Sequence, residues 1–522
     1  MNYLKLMFLG SALSLAGSTA YPKGAVKSQE ERTDAKIIVN TDRPISSVDP
    51  HIYGVFAEPI GRSRQFPIKN TIYGPVYDPS SPLANKDGFK SDYINAVRDL
   101  KLTNMRWPGG NYVAAYNWQD GIGPKDKRPV RIDLAWGGYD TNQVGTDEWI
   151  QMNKAMGTEN VICVNLGLGD IRNAAYWLEY TNIKSGTYYS DLRAQYGHPE
   201  PYNVKIWGLG NEVDGAPWIM GYKNADDYVK IATEAAKALK MVDKDIKFVV
   251  CGAANYQDDG VWLDWDRKVI DNLTGIADYM SVHRYWGDAL AKDKANDYYY
   301  SMGKGAIDFE EKILTPKALI DMTTAKYPKK QPLKLAVDEW GVFGGNYMAV
   351  LEDAMCFNSF IRHADIVKMA NFTMLASLLS NDSTHGTYRS PIFHAFKMFT
   401  TNCRGVSYDT KVDCGTYKLE EKHDIPYLDV TSVTSEDGKT LYVNVINRHK
   451  DKAITTTISN AGTSRFTGKA RISTLTGDLK DRFTYSKRDE YLPVESKADV
   501  KNGQVTCSFA PHSLTQIAVP IK

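Results

Sequence analysis

The chain has 522 residues, of which 43% are hydrophobic and 24% charged, and its formal net charge is +1. That composition describes a folded globular protein, long enough for one large barrel and a smaller partner domain, and it argues against extensive disorder. A charge this close to zero does not favour nucleic acid or an anionic membrane as a partner.

At the N-terminus, Lys5 precedes the apolar run Leu6 to Leu15, and Ser18-Thr19-Ala20 supplies small residues for cleavage. Residues 1–20 therefore read as a removable export signal, and the protein is expected to be secreted or periplasmic. The run is too short to span a bilayer, and no later uninterrupted apolar stretch is long enough for a membrane span. Residues 21–34 read as a polar linker. Residues 35–50, opening on the strand-like Ala35-Lys36-Ile37-Ile38-Val39, precede any helix and are expected to join a sheet formed by the C-terminal part.

From residue 51 to 397 short apolar runs alternate with amphipathic helical segments. The runs are Ile52–Glu58, Asn104–Gly110, Val161–Gly169, Val204–Glu212, Lys247–Asn255, Tyr279–Gly287, Leu333–Gly341 and Asn371–Ser377. Helical spacing is plainest over Asn224 to Val242, through Tyr228, Ile231, Ala232, Ala235 and Leu239, and recurs over Asp87 to Leu100. Eight such units predict a closed (β/α)8 TIM barrel, with an open doubly wound sheet as the alternative. Residues 398–522 change to strand-type alternation, as in Leu441 to Ile446, and predict an accompanying antiparallel β-sandwich domain. Of the six cysteines, Cys163 and Cys251 lie in apolar runs as buried thiols, whereas Cys403 and Cys414, close together in a polar region, are expected to form a local bridge.

A β/α barrel builds its active site at the C-terminal ends of its strands. Those ends carry Glu58, Asn111, Asn211-Glu212, His283 with Tyr285, and Asp338-Glu339. Glu212 and Glu339 can face each other across the barrel mouth. Strand alternation places Glu339 with Val337 and Leu335 and turns Asp338 away toward the helices. Two carboxylates suffice to cut a glycosidic bond without any cofactor: one protonates the leaving oxygen, the other attacks carbon or activates water. A dinucleotide fingerprint, GxSxG, HExxH and a P-loop are all missing, and a single strand-end histidine, His283, does not make a metal site. The 32 tyrosines and 11 tryptophans include flat faces suited to stacking on sugars, though most serve as core residues.

Several stretches resemble the α-L-arabinofuranosidases of glycoside hydrolase family 51: Ile52-Tyr53-Gly54, Arg106 to Asn111, Tyr116 to Pro124, and Trp207-Gly208-Leu209-Gly210-Asn211-Glu212-Val213-Asp214-Gly215. The resemblance runs from Ile52 to about Phe396 and more faintly to Pro511-His512-Ser513. It implies a retaining exo-acting enzyme that removes arabinofuranose from plant polysaccharides or oligosaccharides, needs no cofactor or metal, and forms homo-oligomers as family members often do. Under it Glu212 is general acid/base and Glu339 nucleophile, Glu58, Asn111 and Asn211 bind the sugar, Tyr285 stands beside the nucleophile, and His283 lines the pocket. Two departures stand out. The segment after Glu339 is short, Gly344-Gly345-Asn346 leading almost directly to a helix, and Met374 occupies a position where many members carry a sugar-contacting glutamine. Both leave the substrate open to a branched or different furanoside or a longer glucan-type chain; the rival readings are an endo-β-glucanase with the same glutamates and a carbohydrate-binding barrel that has lost catalysis.

Overall fold

The computed structural model describes residues 32–60, 71–215, 219, 221–254, 261–342, 344–382 and 385–522. The expected export signal at residues 1–20, and all of the expected linker but its end, lie outside the described residues.

The eight strands close into a parallel barrel in chain order: Gly54–Phe56, Asn104–Trp107, Glu159–Val164, Ile206–Leu209, Lys247–Val250, Tyr279–Tyr285, Lys334–Gly341 and Val367–Thr373. Closure excludes the open sheet. Val161, Ile206, Val249, Tyr279, Ala336 and Met369 fill the barrel as a small separate cluster, while residues of opposite parity face the helices. Trp340 shows the outer face, its ring 5.1 Å from that of Phe357, 5.0 Å from Phe360 and 5.8 Å from Phe396.

Helix Ala225–Val242 illustrates how sequence sets the outer layer. The Asn224 side chain accepts from Asp227 N at 2.9 Å and caps it, and Tyr228, Ala232, Ala235, Ala236 and Leu239 are buried along one face. Burying a side chain such as Leu239 contributes roughly 1.5–3 kcal/mol, so the face outweighs the cap's ~1 kcal/mol. The first helix starts at Ser91, later than Asp87, because the Asn85 carboxamide oxygen accepts from Asp87 N and Phe89 N and holds that segment in a turn. The eighth strand begins at Val367 and ends at Thr373, earlier than the run Asn371–Ser377. Lys368 hid its start: the amine reaches Ser46 Oγ at the end of the barrel, where a charge is tolerated within a strand.

The C-terminal region forms one nine-stranded, sandwich-like sheet with its own core, built on Ile37, Val39, Leu441, Val443, Ile454, Ile458, Phe509 and Ile517. Strand Asp34–Ser47 lies inside that sheet. It runs antiparallel to Val406–Asp413, with Ile37 opposite Val412, and parallel to Ile454–Asn460, with Ile37 opposite Ile458. Helix Pro391–Asn402 passes through residue 397 and joins the two parts, Met398 O accepting from Gln516 Nε2 at 3.0 Å. Among the described residues no helix is long and apolar enough to cross a membrane.

The expected Cys403–Cys414 bridge is not formed, and all six cysteines are free thiols. Cys403 is buried in the barrel-side core, its sulfur 3.6 Å from Asn444 Oδ1, whereas Cys414 packs into the core of the sheet. Proximity in sequence did not bring them to one side of the interface.

Candidate active site

Glu212 does not reach the barrel mouth by strand alternation. Its strand ends at Leu209; Gly210 then takes φ +87° and Glu212 φ +44°, a left-handed backbone that glutamate seldom adopts. Such a conformation costs on the order of 1–3 kcal/mol and persists only where the surroundings hold it. Here Gly215 N closes a turn on Glu212 O at 2.9 Å, Tyr228 OH donates to Leu209 O at 2.8 Å, and the Cys163 thiol lies 3.1 Å from Gly210 O. The turn carries the carboxylate inward.

Glu339 arrives by a different device. Ala336 faces the barrel interior and Trp340 the helices, and the pairing with the sixth strand slips between Ala336 and Glu339. A bulge of this kind puts two consecutive side chains on one face. The bulge adds Glu339 to the interior face of Ala336, while Leu335 and Val337 lie on the helix side; Asp338, sharing the parity of Ala336, faces the interior rather than the expected helices. Its carboxylate lies 3.2 Å from Arg106 Nε and 3.3 Å from His283 Nε2, in the same buried cluster as Glu339.

Arg106 is the hub of that cluster. Fully buried, it donates from Nη1 to Glu339 Oε1 at 2.8 Å and from Nη2 to Asn211 Oδ1 at 2.5 Å, while the guanidinium carbon lies 4.9 Å from the centre of the Phe56 ring. Burial pulls its pKa down, but the charges of Asp338 and Glu339 more than offset this and it stays above its ordinary value. The Tyr285 hydroxyl donates to Glu339 Oε2 at 2.7 Å and lies 3.3 Å from Thr373 Oγ1. Both oxygens of Glu339 are thus held by donors.

His283 links the two glutamates. Its Nδ1 is 2.9 Å from Glu212 Oε1 and 3.8 Å from Glu339 Oε1. The Nε2 contact to Asp338 is an ion pair whose alignment falls short of a hydrogen bond. Burial pulls the imidazole pKa down, yet Glu339, Asp338 and Glu212 together raise it well above normal. Burial and the charge of Glu339 raise the pKa of Glu212, with His283 opposing. Charge balance fits these directions. Arg106 and His283 as cations neutralise Asp338 and Glu339 as anions, and a buried cluster stays neutral when Glu212 keeps its proton. One oxygen or nitrogen each of Glu212, His283 and Glu339 lies within 4.8 Å of the others, close enough to hold a cation. A protonated imidazole cannot ligate, so the donor set suits proton handling better than metal binding.

The remaining predicted residues lie around this pair. Glu58 is buried and accepts from Tyr112 N at 2.7 Å and Trp136 Nε1 at 2.9 Å. Burial, with help from the charge of Glu339, pushes its pKa up to about 8. Gly110 lies so close that a Cβ there would sit 2.5 Å from Glu58 Oε2, so any side chain in its place would displace the Glu58 carboxyl. Asn111 Oδ1 accepts from Asn211 Nδ2 at 3.3 Å. Met374 follows Thr373 at the end of the eighth strand, half-buried and without an amide to offer.

Arg106, Trp136 and Thr373 were not among the candidates, and Asp338 was set aside as the weaker one because alternation turned it toward the helices. Arg106 carried a signal, since a guanidinium inside the strand Asn104-Met105-Arg106-Trp107 must be buried and so requires carboxylates. Trp136 carried none, lying in a polar hairpin whose turn is built by Asp133 accepting from Ala135 N and Trp136 N. Replacing Arg106 with Ala leaves Asp338 and Glu339 buried without their counter-charge, and is expected to destabilise the fold by about 3–5 kcal/mol. A denaturant melt of the variant beside the wild type measures it.

A (β/α)8 barrel that holds two glutamates across its mouth, one raised in pKa and one gripped by an arginine and a tyrosine, has the layout of a glycoside hydrolase. Residues 96–298 match the α-L-arabinofuranosidase 1 domain and residues 338–513 the α-L-arabinofuranosidase C-terminal domain. The chain belongs to the α-L-arabinofuranosidases of glycoside hydrolase family 51. It is 32% identical over 504 residues to the intracellular exo-α-(1→5)-L-arabinofuranosidase 1 of Bacillus subtilis, covering 92% of this chain and 97% of that one. The α-L-arabinofuranosidase of Thermotoga maritima, solved with arabinose, superimposes with a TM-score of 0.82 at 34% identity, over 93% of this chain and all of that one. The family 51 enzyme of Thermotoga petrophila gives the same TM-score, identity and coverage.

Proposed function

We propose that this enzyme is a retaining, exo-acting α-L-arabinofuranosidase that releases terminal arabinofuranosyl residues from arabinose-containing polysaccharides or oligosaccharides. Glu339 is the nucleophile and Glu212 the general acid/base. The observation that carries this reading is the closeness of the two carboxylates, with oxygens within 4.8 Å. Retaining enzymes keep their carboxyl groups roughly 5–5.5 Å apart, and inverting enzymes need about 6.5–9.5 Å to admit water.

In the first step a Glu339 oxygen attacks the anomeric carbon as the bond to the leaving oxygen breaks, and Glu212 gives that oxygen its proton. In the second, Glu212, now ionised, takes a proton from water. The resulting hydroxide displaces Glu339 from carbon and frees arabinose. Arg106 and Tyr285 each donate a hydrogen bond to the nucleophile and aim it. Asn211, Asn111 and Glu58 are placed to bind sugar hydroxyls, Glu58 acting as a hydrogen-bond donor while it keeps the proton its burial favours.

Product analysis tests the exo reading. Free arabinose and an oligosaccharide shortened by one residue should appear from the earliest time points on an arabino-oligosaccharide, with a β-glucan left intact. Internal fragments, or cleavage of the glucan, would favour the endo-glucanase alternative.

A further inference from the structure

The strands Lys469–Thr476 and Val494–Asp499 pair directly, Thr474 lying opposite Val494. A hairpin of that kind needs roughly two to five connecting residues. This chain instead carries residues 477–493 out of the sheet and lays them against two βα loops at the catalytic end of the barrel. Where the loop that follows the Glu339 strand enters helix Tyr347–Arg362, Met348 N donates to Leu479 O at 3.3 Å, Asn346 forms a β-bridge with Arg482, and Tyr491 stacks on Tyr347 with ring centres 6.0 Å apart. On the loop that follows the eighth strand, Tyr485 stacks on His385 with ring centres 4.0 Å apart and planes 6° from parallel, and Tyr388 OH donates to Phe483 O at 3.4 Å.

The segment is also braced within itself. Lys487 Nζ lies 2.7 Å from Asp481, whose carboxylate accepts from the Tyr491 hydroxyl as well. The Arg488 guanidinium carbon lies 4.3 Å from the centre of the Tyr485 ring. Tyr485 thus touches both groups, stacking on the His385 ring and lying under the Arg488 guanidinium. His385 is exposed. Long, braced connections of this sort are more often functional than incidental.

The loop after Glu339 is short, Asn346 already capping helix Tyr347–Arg362, and the sandwich segment occupies the rim beside it. We propose that residues 477–493 form the leaving-group wall of the active site, the sugars beyond the cleaved bond resting on the His385–Tyr485–Arg488 cluster. Flat aromatic and guanidinium surfaces suit the apolar faces of sugar rings, and the charged groups around them suit the hydroxyls. With the terminal arabinose held between Glu212 and Glu339, this side of the rim offers the remaining sugars an aromatic surface. The inference rests on the exo-arabinofuranosidase reading.

Tyr485→Ala tests it. An arabino-oligosaccharide should lose about tenfold or more in kcat/KM, chiefly through KM, the loss of ring stacking being of that order. An arabinofuranosyl fluoride, whose leaving group is a single atom, should change less than about twofold, and Tyr485→Phe should restore the oligosaccharide. Equal losses on both substrates, or no loss on either, would overturn the proposal. Should the Ala variant melt too early to assay, His385→Ala must show the same selective loss, and its absence there is equally fatal. A wild-type protein inert on the arabinofuranosyl fluoride would instead refute the reading of the active site itself.

Discussion

Replacing Glu339 with Ala should lower kcat on an aryl arabinofuranoside by at least about 10⁴-fold while leaving the protein folded, because no other group can form the glycosyl bond. Asp338, in the same cluster, cannot substitute. Its carboxylate faces Arg106 Nε and His283 Nε2, beneath the pair rather than opposite Glu212. Burial alone would raise its pKa, but Arg106 and His283 hold it below the usual carboxylate range, so it also keeps Arg106 paired when Glu339 is gone. A melting midpoint near that of the wild type separates lost chemistry from lost fold. Azide supplied to the variant enters from the face that Glu339 vacates, so a glycosyl azide of inverted configuration is the expected product. Retention of wild-type-like turnover would remove Glu339 from the mechanism.

Glu212→Ala is expected to have a different signature. Aryl arabinofuranosides with poor leaving groups should lose about 10²–10⁴-fold in kcat/KM, since the departing oxygen no longer receives a proton. A dinitrophenyl arabinofuranoside, whose leaving group departs unaided, should keep most of its first step and stall at the second. Azide should then restore turnover with retained configuration. The pH profile supplies a further check. Burial and Glu339 raise the pKa of Glu212, so the wild type holds the catalytic proton to higher pH than an ordinary glutamate and loses activity as pH rises through that value. Rates of Glu212→Ala on the dinitrophenyl substrate should lack that basic limb. A basic limb that survived unchanged would assign the proton to another group.

How far the sequence led can be judged from particular residues. Both glutamates were legible because each terminates a short apolar run, and eight such runs in order leave little freedom but a closed barrel. The backbone that delivers them was not. Glu212 depends on a left-handed turn and Glu339 on a strand bulge, and an alternation rule misses both. Asp338 looks outward only if Leu335 and Val337 are read as the barrel side; they pack against the helices, and Asp338, on the interior face with Ala336, meets Arg106 and His283. Trp136 reaches Glu58 from a hairpin with no local signal, since only the closed barrel brings the two together. Strand Asp34–Ser47 was readable as an addition to the distal sheet because it precedes the first βα unit, whereas the parallel pairing with Ile454–Asn460 was not readable from spacing. The cysteines misled because nearness in sequence says little across a domain junction: Cys403 ends a barrel helix and Cys414 faces the core of the sheet.

The central claim is that Glu339 forms the covalent bond to the sugar. It is tested most directly by trapping that bond with a mechanism-based arabinofuranosyl inhibitor in the wild-type protein, digesting it, and locating the modified residue by mass spectrometry. One added glycosyl group per chain on Glu339, and none on the Glu339→Ala variant, is the predicted result. A label on Glu212, Asp338 or Glu58, or stoichiometric inactivation with Glu339 unmodified, would contradict it.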